Sequence, residues 1–238
     1  MNILILTFLF TLVSAFSTPD EQKALREWTP AAIVSDEAVK AYTLDSCFKA
    51  SPISDAIFQR MQGKSYKKNC TIPRSSLRYL RVLHRNLEGK TQLGEIVCNQ
   101  SIANDLVDIF RKLYEANYKI ERITLIDNYN ADDERSMSVN NTSCFNFRVV
   151  SGTTKLSKHA QGLAIDVNPL YNPYVHLNNG KVEPANAKSY ATNRTNGRKD
   201  IPVPVINTQD LCYRLFIQHG FRWGGAWKTV KDYQHFEK

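Results

Sequence analysis

The chain has 238 residues, 42% of them hydrophobic and 23% charged, with 10 Gly and 9 Pro. This supplies a sizeable core and excludes chain-wide disorder, collagen and coiled coil. Basic side chains outnumber acidic ones 31 to 23, a formal net charge of +8 that favours polyanionic neighbours such as an anionic cell envelope or glycan; with no nucleic-acid-binding motif beside it, nucleic acid is not an expected partner.

Residues 1–17 carry no charged side chain, and residues 3–13 are apolar apart from Thr7 and Thr11, ahead of Ser14 and Ala15. That pattern predicts a secretory signal peptide cleaved near residues 15–17, and so a secreted or periplasmic protein. The run is shorter than the ~20 residues of a membrane span, although the lack of Lys or Arg near Met1 leaves an uncleaved anchor as the alternative. No later segment is apolar enough to span a bilayer. Residues 18–50 read as a polar, helical leader. Residues 51–238 read as one domain, because no repeat or Gly/Ser/Pro-rich linker divides them.

His84 follows Leu80 and Val82 in alternation and reads as structural. From 101 to 118, Ile102, Leu106, Ile109, Phe110, Leu113 and Tyr114 form a helical stripe that Asn99 or Ser101 can cap. Residues 120–127 predict a buried strand around Ile123, Leu125 and Ile126. Residues 128–146 then read as a long polar loop, a type that often carries function. A short strand is predicted over 163–167, a second irregular stretch over 171–204, and a helix over 210–219 that Gly220 ends. His219 there sits well at the negative end of the helix dipole. Helices alternating with short strands, without regular βαβ spacing, predict an α+β domain.

The five cysteines, Cys47, Cys70, Cys98, Cys144 and Cys212, contain no C-x-x-C pair, which excludes a Cys-rich zinc module. Export permits a disulfide, and Cys47 with Cys70 is the preferred pair because both lie in the less regular amino-terminal part. The sequons at Asn69, Asn99, Asn140, Asn141 and Asn193 matter only in a eukaryotic secretory pathway.

Chemistry concentrates in Ser157-x-His159-x-x-Gly162-x-Ala164-x-Asp166 and in the late Asp232-x-x-His235. Gly162 lets the chain turn after His159, and the following strand can return Asp166 to its side. A catalytic zinc takes a few nitrogen and oxygen ligands and keeps one position open, and His159, Asp166 and His235 could supply three. A histidine with an aspartate seven residues later is, by its spacing alone, also common among ordinary hydrogen-bonded surface residues.

The ten-residue pattern, matched at Ser, His, Gly, Ala and Asp together, resembles the zinc peptidases of bacterial cell walls, the D-alanyl-D-alanine carboxypeptidases and dipeptidases and the L-alanyl-D-glutamate endopeptidases. The resemblance runs from about residue 53 to 238, through 77–80, 94–97, 127–133 and 168–175. It implies a single hedgehog/DD-peptidase-like α+β domain with a small antiparallel sheet and flanking helices. It further implies that His159, Asp166 and His235 hold Zn2+, that Asp232 is the general base, and that peptidoglycan stem peptides are the substrate. The oxyanion-stabilising arginine usual in that family has no counterpart at 128–130, so Arg148 is the candidate, with Arg135 as the alternative.

Aspartate rather than glutamate at position 232 resembles the endopeptidase branch, which makes cleavage of an L-alanyl-D-glutamate type bond the first expectation and D-alanyl-D-alanine carboxypeptidase activity the alternative. A non-catalytic hedgehog-like zinc module and a cysteine peptidase built on Cys144 are the rival readings; the retained Asp232 argues against the first. Ser157 is expected to orient its loop or simply to turn it. Trp223, Trp227 and Tyr233 read as core or as a cleft wall, and His176 as a loop residue that could meet substrate.

Overall fold

The computed structural model describes residues 17–150, 153–192, 194 and 200–238. The signal expected over 1–17 lies outside these residues apart from Ser17, as does the sequon residue Asn193. In chain order the helices are α1 (Pro19–Glu27), α2 (Asp36–Tyr42), α3 (Leu44–Cys47), α4 (Asp55–Met61), α5 (Gln100–Glu115), α6 (Asp133–Ser138) and α7 (Leu211–Gln218). The strands are β1 (Ile33–Val34), β2 (Lys49–Pro52), β3 (Leu77–Arg85), β4 (Thr91–Asn99), β5 (Arg122–Ile123), β6 (Asn141–Thr142), β7 (Ala164–Asp166), β8 (Tyr174–His176), β9 (Val182–Glu183), β10 (Arg222–Trp223), β11 (Val230–Asp232) and β12 (His235–Glu237). The fold is α+β. Among the described residues no helix is long and apolar enough to cross a membrane.

The main sheet is antiparallel with order β1-β4-β3-β2, centred on a hairpin of two nine-residue strands that pairs Leu77 with Asn99 and Arg85 with Thr91. Asn86 shapes its turn by accepting the Glu88 and Lys90 N–H groups. The stripe on α5 is buried throughout, and Asn99 caps the helix by accepting the Ser101 N–H. Residues 18–52 add β1 and β2 to the two edges of the sheet, and the Trp28 indole N–H donates to the Gly94 carbonyl at 3.0 Å. His84 is buried with Nδ1 2.6 Å from the Ile120 carbonyl, and burial pushes its pKa down to about 4.

Three expectations are corrected. The strand predicted over 120–127 stops at Ile123, because side chains take over the pairing: Asn141 accepts from the Thr124 N–H and hydroxyl, and Glu95 accepts from the Leu125 N–H. The polar stretch 128–146 is partly interior and ordered. It contains α6 and β6, and its Asn140, Asn141 and Asn146 are almost fully buried. The Cys47–Cys70 disulfide is absent and all five cysteines are free. The Cys47 thiol contacts the Thr43 carbonyl at the end of its helical turn, and that of Cys70 contacts Ile72.

Two smaller antiparallel sheets follow, β10-β12-β7 and β11-β8-β9, beside a short parallel pair of β5 with β6. The first is packed down by Phe236 of β12, fully buried and stacked on Phe216 of α7 at 4.2 Å. Asp210 caps α7 through the Cys212 and Tyr213 N–H groups, and Gly220 ends it at φ +80°.

Candidate metal centre

Antiparallel pairing of β7 with β12 places His235 directly opposite Asp166. His159 arrives from the other side, on the single 3-10 turn His159–Gln161. That turn closes at Gly162, whose φ of +68° and close approach to β4 both demand glycine: a Cβ there would lie 2.7 Å from the Asn99 nitrogen. Ser157 orients the turn through its hydroxyl, which accepts the Ala160 N–H at 3.0 Å.

The three side chains converge. His159 Nε2 lies 3.2 Å from His235 Nδ1 and 3.3 Å from Asp166 Oδ2, and His235 Nδ1 lies 3.0 Å from Asp166 Oδ1. One donor atom from each falls within 4.8 Å of the others, a possible metal-binding group. Both imidazoles are oriented from behind. His159 Nδ1 is 2.7 Å from the Cys144 carbonyl, so that nitrogen carries the proton and Nε2 presents its lone pair. His235 Nε2 is 3.4 Å from Glu237 Oε2, which leaves Nδ1 facing the group.

Residues 143–146 form the backing. Ser143 exchanges both backbone hydrogen bonds with Asp166, Cys144 holds His159, and the Asn146 N–H donates to the His159 carbonyl. The stretch whose composition suggests a solvated loop is thus the support behind the two residues of the Ser157 to Asp166 motif.

Asp232 stands beside the group on β11, with Oδ2 3.9 Å from His235 Nδ1. Its Oδ1 is buried and has no hydrogen-bond partner among the described residues. Burial pushes its pKa up to about 7, helped by the Asp166 charge and opposed by His235. For His235, burial disfavours the cation, but the hydrogen bonds that its ring donates to the Asp166 and Glu237 carboxylates outweigh it and raise the pKa to about 10. Burial works against the Asp166 anion, but the imidazoles of His159 and His235 both stabilise it and draw its pKa well below the usual carboxylate range. Three carboxylates around two imidazoles make a place that attracts a cation, whether proton or metal.

Arg148 hydrogen-bonds Ser157 through its backbone carbonyl, but its guanidinium ion-pairs with Asp133 on α6. Arg135 is exposed on the same helix. Among the described residues neither guanidinium bonds to the His159, Asp166 and His235 side chains. Trp223 is core, its indole donating to the Tyr233 carbonyl, whereas half-buried Trp227 lies against His235 with ring centres 5.2 Å apart. His176 is on β8, paired with Glu183 and outside the group.

The Cys144 thiol is buried beneath the turn, bonds the Gly162 carbonyl, and is pushed well above its usual pKa by burial. It is therefore no nucleophile. The sequence reading misses Glu237 and Arg194. A His-x-Glu pair on a strand, with both residues on one face, is the signal for Glu237. Arg194, buried in the second irregular stretch, stacks 3.8 Å over the Tyr233 ring and donates to the Tyr171, Tyr190 and Ile206 carbonyls. It steadies the strand-to-strand link between Asp232 and His235, and nothing in the local sequence announces it.

Two histidines and an aspartate with a protonatable carboxylate alongside are the donor set of a hydrolytic metal site. Residues 151–238, which hold all four, match the family model described as D-alanyl-D-alanine carboxypeptidase, and the protein is a metallopeptidase, a hydrolase. No curated protein and no solved structure matches the chain.

Proposed function

We propose that the protein is a zinc-dependent peptidase that hydrolyses a peptide bond in peptidoglycan stem peptides. The observation that carries this reading is the convergence of His159, Asp166 and His235 beside an unpartnered Asp232 oxygen. Two imidazole nitrogens and one carboxylate suit zinc, and each imidazole has its far nitrogen held by an oxygen, as such ligands require. A zinc ion there supplies Lewis acidity and lowers the pKa of water toward ~7.

The chain's own residues do the rest. Asp232, with a pKa near neutrality, accepts a proton at Oδ1 from the attacking water and passes it to the leaving amine. Trp227 walls the site beside His235 and limits solvent there. Arg148 is our candidate donor to the developing oxyanion, which requires it to leave Asp133.

The short acid at Asp232 favours an endopeptidase that cuts an L-alanyl-D-glutamate type bond. The description of the matching family model favours the second reading, removal of the terminal D-alanine. In either case the signal-like residues 1–17 fit secretion or a periplasmic location, and the charge of +8 fits an anionic envelope. The test is mass spectrometry of defined pentapeptide stems digested with and without a zinc chelator. Chelator-sensitive cleavage inside the stem is expected. Release of D-alanine alone selects the second reading, and cleavage that persists without metal overturns both.

A further inference from the structure

We infer that Trp227 is the wall of a small subsite that holds the alanine on the carbonyl side of the cut bond, and that its ring excludes larger side chains there. The inference rests on the peptidase reading above and names what that site selects.

Of the three tryptophans, Trp28 and Trp223 are buried and give their indole N–H groups to the Gly94 and Tyr233 carbonyls. Trp227 is half-buried, and its indole N–H has no partner among the described residues. Its neighbours Ala226, Lys228 and Thr229 are exposed, so the ring stands at the rim of the metal centre, 5.2 Å from the His235 ring at an interplanar angle of 52°.

A short segment fixes the ring there. The 3-10 turn Gly224–Ala226 is closed by the Trp227 N–H, which donates to the Gly224 carbonyl, and Lys231 of β11 donates its ammonium to the Gly225 carbonyl. Gly224 lies so close to the base and the ligand that a Cβ there would be 2.7 Å from the Asp232 carbonyl oxygen and 3.2 Å from His235 Cβ. The turn is thus pressed onto Asp232 and His235, and it carries Trp227 in a fixed relation to both.

Position and chemistry choose the occupant. Asp232 and Trp227 flank the same imidazole, with Asp232 Oδ2 3.9 Å from His235 Nδ1. Consecutive Cα atoms are about 3.8 Å apart, so a peptide attacked beside Asp232 brings to Trp227 a residue that flanks the reacting bond. An indole face is apolar and rigid. It suits the methyl of alanine, which stands on the carbonyl side in both readings of the bond, and not the carboxylates of D-glutamate on the leaving side of the first. A longer side chain meets a wall that cannot yield, as in an overpacked core.

Binding is measured in the zinc-loaded full chain carrying Asp232→Asn, so that turnover does not interfere. The probes are the stem pentapeptide, the same peptide with L-leucine for its L-alanine, and the same peptide with D-leucine for the D-alanine before the last. Leucine on the carbonyl side of the cut bond is expected to weaken binding about 30-fold. Adding Trp227→Ala is expected to bring that ratio below about threefold, and Trp227→Phe to leave it between the two. Equal binding of all three probes by the Trp227-bearing chain, binding of none, or a ratio that survives both substitutions overturns the inference. So does a parallel loss of affinity for every probe, because a residue that only packs against His235 weakens all of them alike. Hydrolysis of the same peptides by the unsubstituted chain reports separately on the peptidase reading. Cleavage without a size preference sinks only the subsite; a Trp227-dependent preference without cleavage sinks only the peptidase reading.

Discussion

In the main sheet and α5, Leu77, Leu80, Val82, Leu83, Leu93, Ile96 and Phe110 are buried against one another. Behind the His159, Asp166 and His235 group the buried residues are Asn140, Asn141, Asn146, Asn168 and Asn172, each hydrogen-bonded to backbone or to another side chain. Carbon packing is non-directional and yields cohesion in proportion to area. Hydrogen bonds fix individual atoms within narrow limits of distance and angle. The chain uses the first where it needs stability and the second where it must aim two imidazoles and a carboxylate at one point.

The largest expected effect separates chemistry from both regions. Asp232→Asn should lower kcat about 1,000-fold while zinc content, read by metal analysis, and the melting temperature are kept. Loss of zinc in that variant would make Asp232 part of the metal's own shell. In the apolar region, Phe110→Ala should cost about 4 kcal/mol in denaturant unfolding, with zinc still bound by the folded fraction.

His84 marks the apolar region by its pH response. Its imidazole is neutral in the fold, with a pKa near 4, and takes a proton at about 6.5 when unfolded. Its contribution is therefore complete above pH 6.5 and is lost as pH falls toward 4, a total of about 3 kcal/mol. Melting curves of His84→Gln across that window should show a flatter slope than those of the parent.

Asn141→Ala strands the buried Thr124 N–H and hydroxyl and should cost about 2 kcal/mol. Unlike Phe110→Ala, it should also weaken zinc affinity in competition with a chelator. An equal effect of the two substitutions on zinc would erase the distinction between the regions. Smallest of all, Ser157→Ala removes one hydrogen bond from the His159 turn and should cost about 1 kcal/mol, visible as a shift of a few degrees in melting.

The same division governs what the sequence reveals. The α5 stripe with its Asn99 cap and the α7 boundaries at Asp210 and Gly220 are legible because helical periodicity and capping are local. His159, Asp166 and His235 are legible as a set through a motif that resembles one of zinc peptidases, and the structure brings them together. The backing at 143–146, the orientation of His235 by Glu237 and the clamp made by Arg194 are not legible. They depend on which carbonyl or ring a side chain meets across the fold, and a polar composition looks the same whether its partner is water or protein. Pairing Cys47 with Cys70 rests on their shared region of sequence, a criterion that contains no distance, and both thiols are free.

One pairing sets how the site can fail. His235 meets Asp166 on strands of only three residues each, flanked by the bonds from Val167 to Gln234 and from Lys238 to Leu163. A slip of one residue would turn His235 and Glu237 into the core and Phe236 out to the site, since alternate residues face opposite ways. No intermediate register offers two ligands, so the centre has no half-built state to occupy. Heating should then remove activity in step with the folded fraction, molecule by molecule, with every surviving molecule working at its full rate.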